Sequence, residues 1–71
     1  MANHTIIDTT IHVYRAKKRM TQKELADRVG VSRITIINLE RLKNTPSLLL
    51  VYDIANIFEV SVEDLFIFGQ R

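Results

Sequence analysis

The most constraining stretch of this chain is Thr21 to Arg41, TQKELADRVGVSRITIINLER. It predicts a short helix, a tight turn at Gly30, and a second helix with two chemically different faces. Thr21 and Glu24 have the S/T-x-x-E spacing of a capping box, so the first of these helices starts just after Thr21. Leu25, Ala26 and Val29 share one face at helical spacing, while Lys23, Glu24, Asp27 and Arg28 point away. Gly30 supplies the left-handed residue that closes a helix, Val31 an apolar plug, and Ser32 the next N-cap. In the second helix, at about 100° per residue, Ile36 and Leu39 fall on one side with Thr35 at its edge. Arg33, Ile34, Ile37, Asn38 and Arg41 fall on the other.

A helix that merely meets water has little use for two isoleucines on its outer face, and exposed apolar pairs usually mark a partner. These residue types suit the major groove of duplex DNA. There arginine can donate twice to guanine, asparagine can pair with adenine, and isoleucine can meet a thymine methyl. Arg33, Ile34, Ile37 and Asn38 are the candidate base readers, with Thr35 reaching either a base or a phosphate. Gln22 and Ser32 stand at helix N-termini, where backbone N–H groups favour phosphate.

The segment TQKELADRVGVSRITIINLE resembles the helix-turn-helix of the Cro and phage-repressor (Xre-like) DNA-binding proteins. The features that carry the likeness are Gln22, Ala26, Gly30, the S-R-x-T-I run from Ser32 to Ile36, and Leu39–Glu40. It continues through Pro46-Ser47-Leu48, Ile54–Ala55 and the closing V-S-V-E-D-L-F, so that it spans about Ile11 to Phe66. What it implies is an all-α, five-helix repressor-like domain with its helix-turn-helix at 22–41 and the second helix of that motif in the major groove. The resemblance also implies a buried ion pair between Arg15 and Glu40. The residues agree, because both charges border apolar faces and need partners. Were the pair fully buried, removing either member would cost about 3–5 kcal/mol. By the same likeness Lys43 and Asn44, in the loop after the recognition helix, would join Arg41 in touching the DNA backbone. Arg19 and Leu42 stand where the family usually has glycine, and leucine is disfavoured at positive φ.

Seventy-one residues allow a single domain, 1–71, with its core within 10–66. So small a chain buries a limited core, and oligomerisation would help it. Nine Lys/Arg face four Asp/Glu in residues 1–45, against one and four in residues 46–71. A basic front and an acidic rear suit a protein that presents one end to a polyanion, although so small a surface can also be uneven by chance. With no cysteine there is neither disulfide nor thiolate metal site, and a cytoplasmic home is consistent. His4 and His12 lack the spacing of metal ligands, so no metal or other cofactor is expected. No membrane span, phosphate-binding glycine loop or nucleophile motif is present, and an enzyme is not expected.

Outside the motif, Met1 to Thr5 reads as loose, and either Thr9 or Thr10 could cap a helix over about Thr10 to Lys18. Ile11 and Tyr14 form the inner face of that helix. Lys17, Lys18 and Arg19 suit its C-terminal dipole, with phosphate contact as the alternative role. Ser47 caps a fourth helix, Leu48 to Phe58, with a core stripe of Leu48, Val51, Tyr52, Ala55 and Phe58. Leu50, Ile54 and Ile57 widen that stripe beyond what a surface helix needs, which means deep burial or a second contact surface. A dimer interface of Leu50, Ile54, Ile57, Ile67 and Phe68 is the expectation. Ser61 and Asp64 form a capping box for a last helix through Phe66. Ile6–Ile7 and Phe66-Ile67-Phe68 are β-prone, so the ends form a two-stranded antiparallel extension or else an apolar tail.

The expected function is that of a dimeric, sequence-specific transcriptional regulator, in the simplest case a repressor on a near-palindromic operator. The alternative is an antitoxin-like protein-binding module that also binds its own promoter.

Overall fold

Hydroxyl and carboxylate caps set where the helices begin. A computed structural model describes residues 4–70. They form β1 (His4–Thr9), α1 (Ile11–Lys17), α2 (Gln22–Val29), α3 (Arg33–Glu40), α4 (Leu48–Phe58), α5 (Val62–Leu65) and β2 (Phe66–Gln70). At α2 the capping box is reciprocal. The Glu24 N–H donates to the Thr21 hydroxyl at 3.0 Å, and the Thr21 N–H donates to the Glu24 carboxylate at 3.1 Å. Ser32 accepts from the Thr35 N–H and Ser47 from the Leu50 N–H, each at 3.2 Å. Before α5, the Ser61 N–H donates to the Asp64 carboxylate at 3.0 Å. Gly30, at φ 74°, closes α2 and lets the Val31 N–H reach the Ala26 carbonyl at 3.0 Å.

Each helix contributes one side chain with no solvent exposure: Ile11, Leu25, Ile36, Ile54 and Leu65, at 0% each. Around them Met20, Leu39, Phe58 and Phe66 complete the core, with Tyr14, Val29, Val31, Leu50 and Ile57 packed at its margin. Tyr14 stacks on Phe58 with ring centroids 5.7 Å apart, and the Lys17 ammonium sits 5.1 Å from the Tyr14 ring centroid. Lys17 therefore covers an aromatic face as well as answering the helix dipole.

The chain ends do pair. The antiparallel register is His4↔Gln70, Thr5↔Gly69, Ile6↔Phe68, Asp8↔Ile67 and Thr9↔Phe66, with an irregularity between Ile6 and Asp8. Ile6 packs on the core and Thr9 is buried, although strict alternation forbids residues three apart from sharing a face. The extra residue of the bulge restores the parity and leaves Ile7 exposed. Of the stretch read as loose, His4 and Thr5 lie in β1; Met1, Ala2 and Asn3 lie outside the described residues. The last helix stops at Leu65 rather than Phe66, which already belongs to β2.

Neither threonine at the start of α1 acts as the simple side-chain cap expected of it. The Thr10 hydroxyl donates to the Asp64 carbonyl at 2.5 Å, and the Thr9 hydroxyl donates to the Leu65 carbonyl at 2.7 Å. Thr9 also accepts from the Ile11 N–H at 3.3 Å. A one-turn helix that runs straight into a strand leaves its last carbonyls without helical partners. The threonines supply those partners and tie the start of the chain to its end.

Two expectations for α4 are corrected. Ile54, assigned to a dimer surface, is the fully buried residue of this helix and cannot meet a second chain. Leu48 and Tyr52, assigned to the core stripe, are exposed. The buried stripe is Val51, Ile54, Ala55 and Phe58, which keeps three of the predicted residues and is turned by about half a residue from the predicted stripe, toward Ile54.

Candidate nucleic-acid interface

α3 carries its apolar and its chemically mixed faces as its sequence requires. Ile36 and Leu39 are buried, whereas Arg33 and Arg41 are exposed and Ile37 and Asn38 half-buried. Ile34 stands at the crest, 62% exposed, with no counterpart in the hydrophobic core. Thr35 is half-buried, and its hydroxyl pairs with that of Ser32 at 3.0 Å. Both hydroxyls are thus held in the cap, and what Ser32 presents outward is the helix N-terminus itself.

Glu40, the last residue of α3, fixes the angle of the helix. Its carboxylate accepts from Arg15 Nε at 2.6 Å, Arg15 Nη2 at 3.0 Å and Gln22 Nε2 at 3.1 Å. Arg15 Nη1 donates to the Met20 carbonyl at 3.0 Å, so one guanidinium binds α1, the loop before α2, and α3. The side chains of Arg15 and Glu40 are 18% and 9% exposed, so the pair is partly rather than fully buried. Gln22 was expected at a phosphate. Its amide donates to Glu40 and keeps one Nε2 hydrogen for a second partner.

A hollow lies on each flank of α3. One is lined by Arg15, Thr21, Gln22, Lys23 and Arg33, and so joins three basic side chains to the N-terminus of α2. The other, about 330 Å³, is lined by Thr35, Asn38, Asn44, Thr45 and Ser47 among others, and opens beside the N-terminus of α4. Neither α3 nor α4 has an acidic residue in its first turn, so the positive ends of both dipoles are uncompensated. Arg33, in the first turn of α3, adds a charge that the dipole disfavours. An anion against this surface would relieve both. Lys43 and Asn44 are exposed in the loop between α3 and α4, next to the second hollow.

That loop and the one after α1 turn without glycine. Arg19 has φ 52° and Leu42 φ 56°, the left-handed conformation a glycine would adopt without strain, and Glu59 after α4 has φ 57°.

The sequence reading missed the exposed face of α4. Leu48, Leu49 and Tyr52 are 78%, 74% and 57% exposed. The signal was present in Asp53, Asn56 and Glu59, all exposed, which mark the outward side of α4 and place Leu49 and Tyr52 among them. Of the predicted dimer residues, Leu50 and Ile57 are half-buried at the edge of this face, and Ile67 and Phe68 are exposed on β2.

The family model for helix-turn-helix proteins matches residues 11–65. The chain belongs to the helix-turn-helix family, as its resemblance to the Cro and phage-repressor class implied. Among its helix-turn-helix relatives are two uncharacterized transcriptional regulators of Archaeoglobus fulgidus. One is 55% and the other 57% identical over 63 residues, which is 89% of this chain and 89% and 90% of theirs. A third, from Methanocaldococcus jannaschii, is 51% identical over 55 residues, 78% of this chain and 83% of its own. The fold also matches the crystal structure of a candidate DNA-binding protein from Bacteroides fragilis. Its TM-score is 0.74 at 30% identity, covering 84% of this chain and 97% of that one. The clp gene regulator ClgR of Corynebacterium glutamicum matches with a TM-score of 0.71 at 31% identity, over 78% of this chain and 58% of that one. These helix-turn-helix relatives are regulators, not enzymes. No helix among the described residues is long and apolar enough to cross a membrane.

Proposed function

We propose that this chain is a sequence-specific DNA-binding repressor that acts as a dimer on a near-palindromic operator. The observation that carries the reading is the outer face of α3, where Arg33, Ile34, Ile37 and Asn38 stand between two hollows at helix N-termini. A helix lying in a major groove has phosphates on both sides, and backbone N–H groups and basic side chains are the groups that bind them. Arg33, Ile34, Thr35, Ile37 and Asn38 read bases. Gln22, Ser32, Arg41, Lys43 and Asn44 hold the backbone. Repression by occupying a promoter follows as the simplest mechanism for a domain of this kind.

The dimer surface in this reading is the exposed face of α4. Leu48, Leu49 and Tyr52 form its centre and Leu50 and Ile57 its margin. Phe68 and Ile6 share a further hollow with Thr5 and with Leu42 to Thr45, a mixed polar and apolar surface beside the loop that precedes α4. A second copy is the occupant that the function requires, because two α3 helices must meet half-sites about one helical turn apart. A stable interface of this type needs about 800 Å² from each partner. Three large, mostly exposed side chains on one helix supply its centre.

Selection of bound duplexes from a random library tests the reading. An inverted repeat should be enriched, and Arg33→Ala should weaken binding and relax specificity at one position in each half. Binding with a salt slope but no enriched sequence would leave only the electrostatic component and defeat the proposal. Light scattering tests the dimer. Leu49→Glu should yield folded monomers, whereas a variant still dimeric at micromolar concentration would place the interface elsewhere.

A further inference from the structure

We infer that α3 reads two successive base pairs through thymine methyl groups, Ile34 against one and Ile37 against the next. The inference rests on the reading of α3 as the helix in the groove, and it specifies the DNA that this helix takes. Between Arg33 and Asn38 the crest of α3 offers little hydrogen-bonding capacity. Ile34 occupies it, 62% exposed, and Ile37 lies one turn further on, half-buried. The polar readers flank them: Arg33 borders the basic hollow beside α2, and Asn38 borders the hollow beside α4. An apolar crest cannot satisfy the donors and acceptors of a base edge. Pressed against G·C pairs it would strip water from those groups and return nothing. The one apolar feature that an ordinary base shows in the major groove is the C5-methyl of thymine.

Spacing limits how those methyls are arranged. Ile34 and Ile37 are three residues apart, about 4.5 Å along the helix axis. Successive base pairs rise about 3.4 Å. For a helix lying along the groove, the two side chains therefore fall on neighbouring pairs rather than on the same pair or on distant ones. Each half-site should contain a step of two A·T pairs, lying between the position read by Arg33 and the position read by Asn38.

The experiment replaces each thymine of the selected duplex, one at a time, by deoxyuridine. This removes the methyl and leaves every hydrogen-bonding group in place. Two adjacent base pairs in each half should each lose about fourfold in affinity, the value of one buried methyl-sized group. Other thymines should change little. Ile34→Ala, which alters an exposed side chain and leaves the core untouched, should abolish the loss at one of the two positions, and Ile37→Ala at the other. Equal affinity for the thymine and deoxyuridine duplexes would overturn the inference while leaving sequence-specific binding intact. So would methyl discrimination that survives both substitutions. Failure to enrich any sequence would sink the inference together with the function it rests on.

Discussion

Glu40→Ala is the substitution that tests most directly how α3 is held. The wild-type carboxylate receives three hydrogen bonds, two from Arg15 and one from Gln22, between 2.6 and 3.1 Å. Without it the guanidinium keeps only the Met20 carbonyl, and the freed Nε and Nη2 must find water from a site where Arg15 is 18% exposed. Breaking a fully buried pair costs about 3–5 kcal/mol, and exposed pairs contribute about 0–1 kcal/mol. Water reaches this guanidinium in part, so the cost should fall between those limits, at about 2–3 kcal/mol. In a chain of this length that corresponds to a loss of roughly 10–20 °C in Tm. Circular dichroism in urea and on heating measures it, at one fixed protein concentration because a dimer's stability depends on mass action. Arg15→Met combined with Glu40→Leu should recover most of the loss, since an apolar pair leaves no orphaned charge. The reasoning fails if Glu40→Ala costs under about 0.5 kcal/mol, or if the double substitution is as unstable as the two single changes added together.

Substitutions at three further positions test backbone and buried polar geometry. Glu59→Gly should stabilise the fold by about 0.5–1 kcal/mol, because relief of left-handed strain at φ 57° outweighs the extra freedom glycine gives the unfolded chain; a drop in Tm would refute it. Leu42→Gly, at φ 56°, should gain less, because this half-buried leucine also loses apolar contact. Thr9→Val removes a hydroxyl that donates to the Leu65 carbonyl and accepts from the Ile11 N–H, both buried, and should cost about 1–3 kcal/mol in urea titrations. Thr9→Ser keeps both bonds and should retain most of the stability; equal losses in the two variants would assign the effect to packing instead.

What was legible in the sequence was local chemistry. Thr21–Glu24, Ser32 and Ser47 are caps whose hydrogen bonds lie within three residues, so spacing alone locates them. Gly30 has one common use at the end of a helix, and it has that use here. The two faces of α3 separate cleanly because Ile36 and Leu39 lie together on one side, with Thr35 and Glu40 only at its edges. The pairing of the chain ends was legible only as an alternative, because β-prone residues at each end do not show whether they meet. What decides it is long-range: Thr9 and Thr10 bind carbonyls of Leu65 and Asp64, 56 and 54 residues away, and this fixes the ends side by side. The register then needs a bulge that no short-range pattern announces.

α4 was misread for a different reason. Leu48 to Phe58 is apolar on nearly every side, so a core stripe that adds Leu48 and Tyr52 to Val51, Ala55 and Phe58 fits helical spacing as well as the true one, which adds Ile54. Hydrophobic periodicity fails when there is no polar face to contrast with. The few polar residues then carry the information, and Asp53, Asn56 and Glu59 point the other way from Ile54. Once the helix is turned to agree with them, Leu48, Leu49 and Tyr52 are left in solvent, where they contribute nothing to the monomer's core. The crest of α3 is in the same condition. These two faces are joined by the loop from Arg41 to Ser47, whose Asn44, Thr45 and Ser47 line one hollow with Thr35 and Asn38 of α3 and Leu50 of α4. A second copy docked on α4 would therefore sit within one loop of α3, the helix proposed to read bases. A substitution there that changes the dimer angle should move the preferred half-site spacing without changing the bases each half-site prefers.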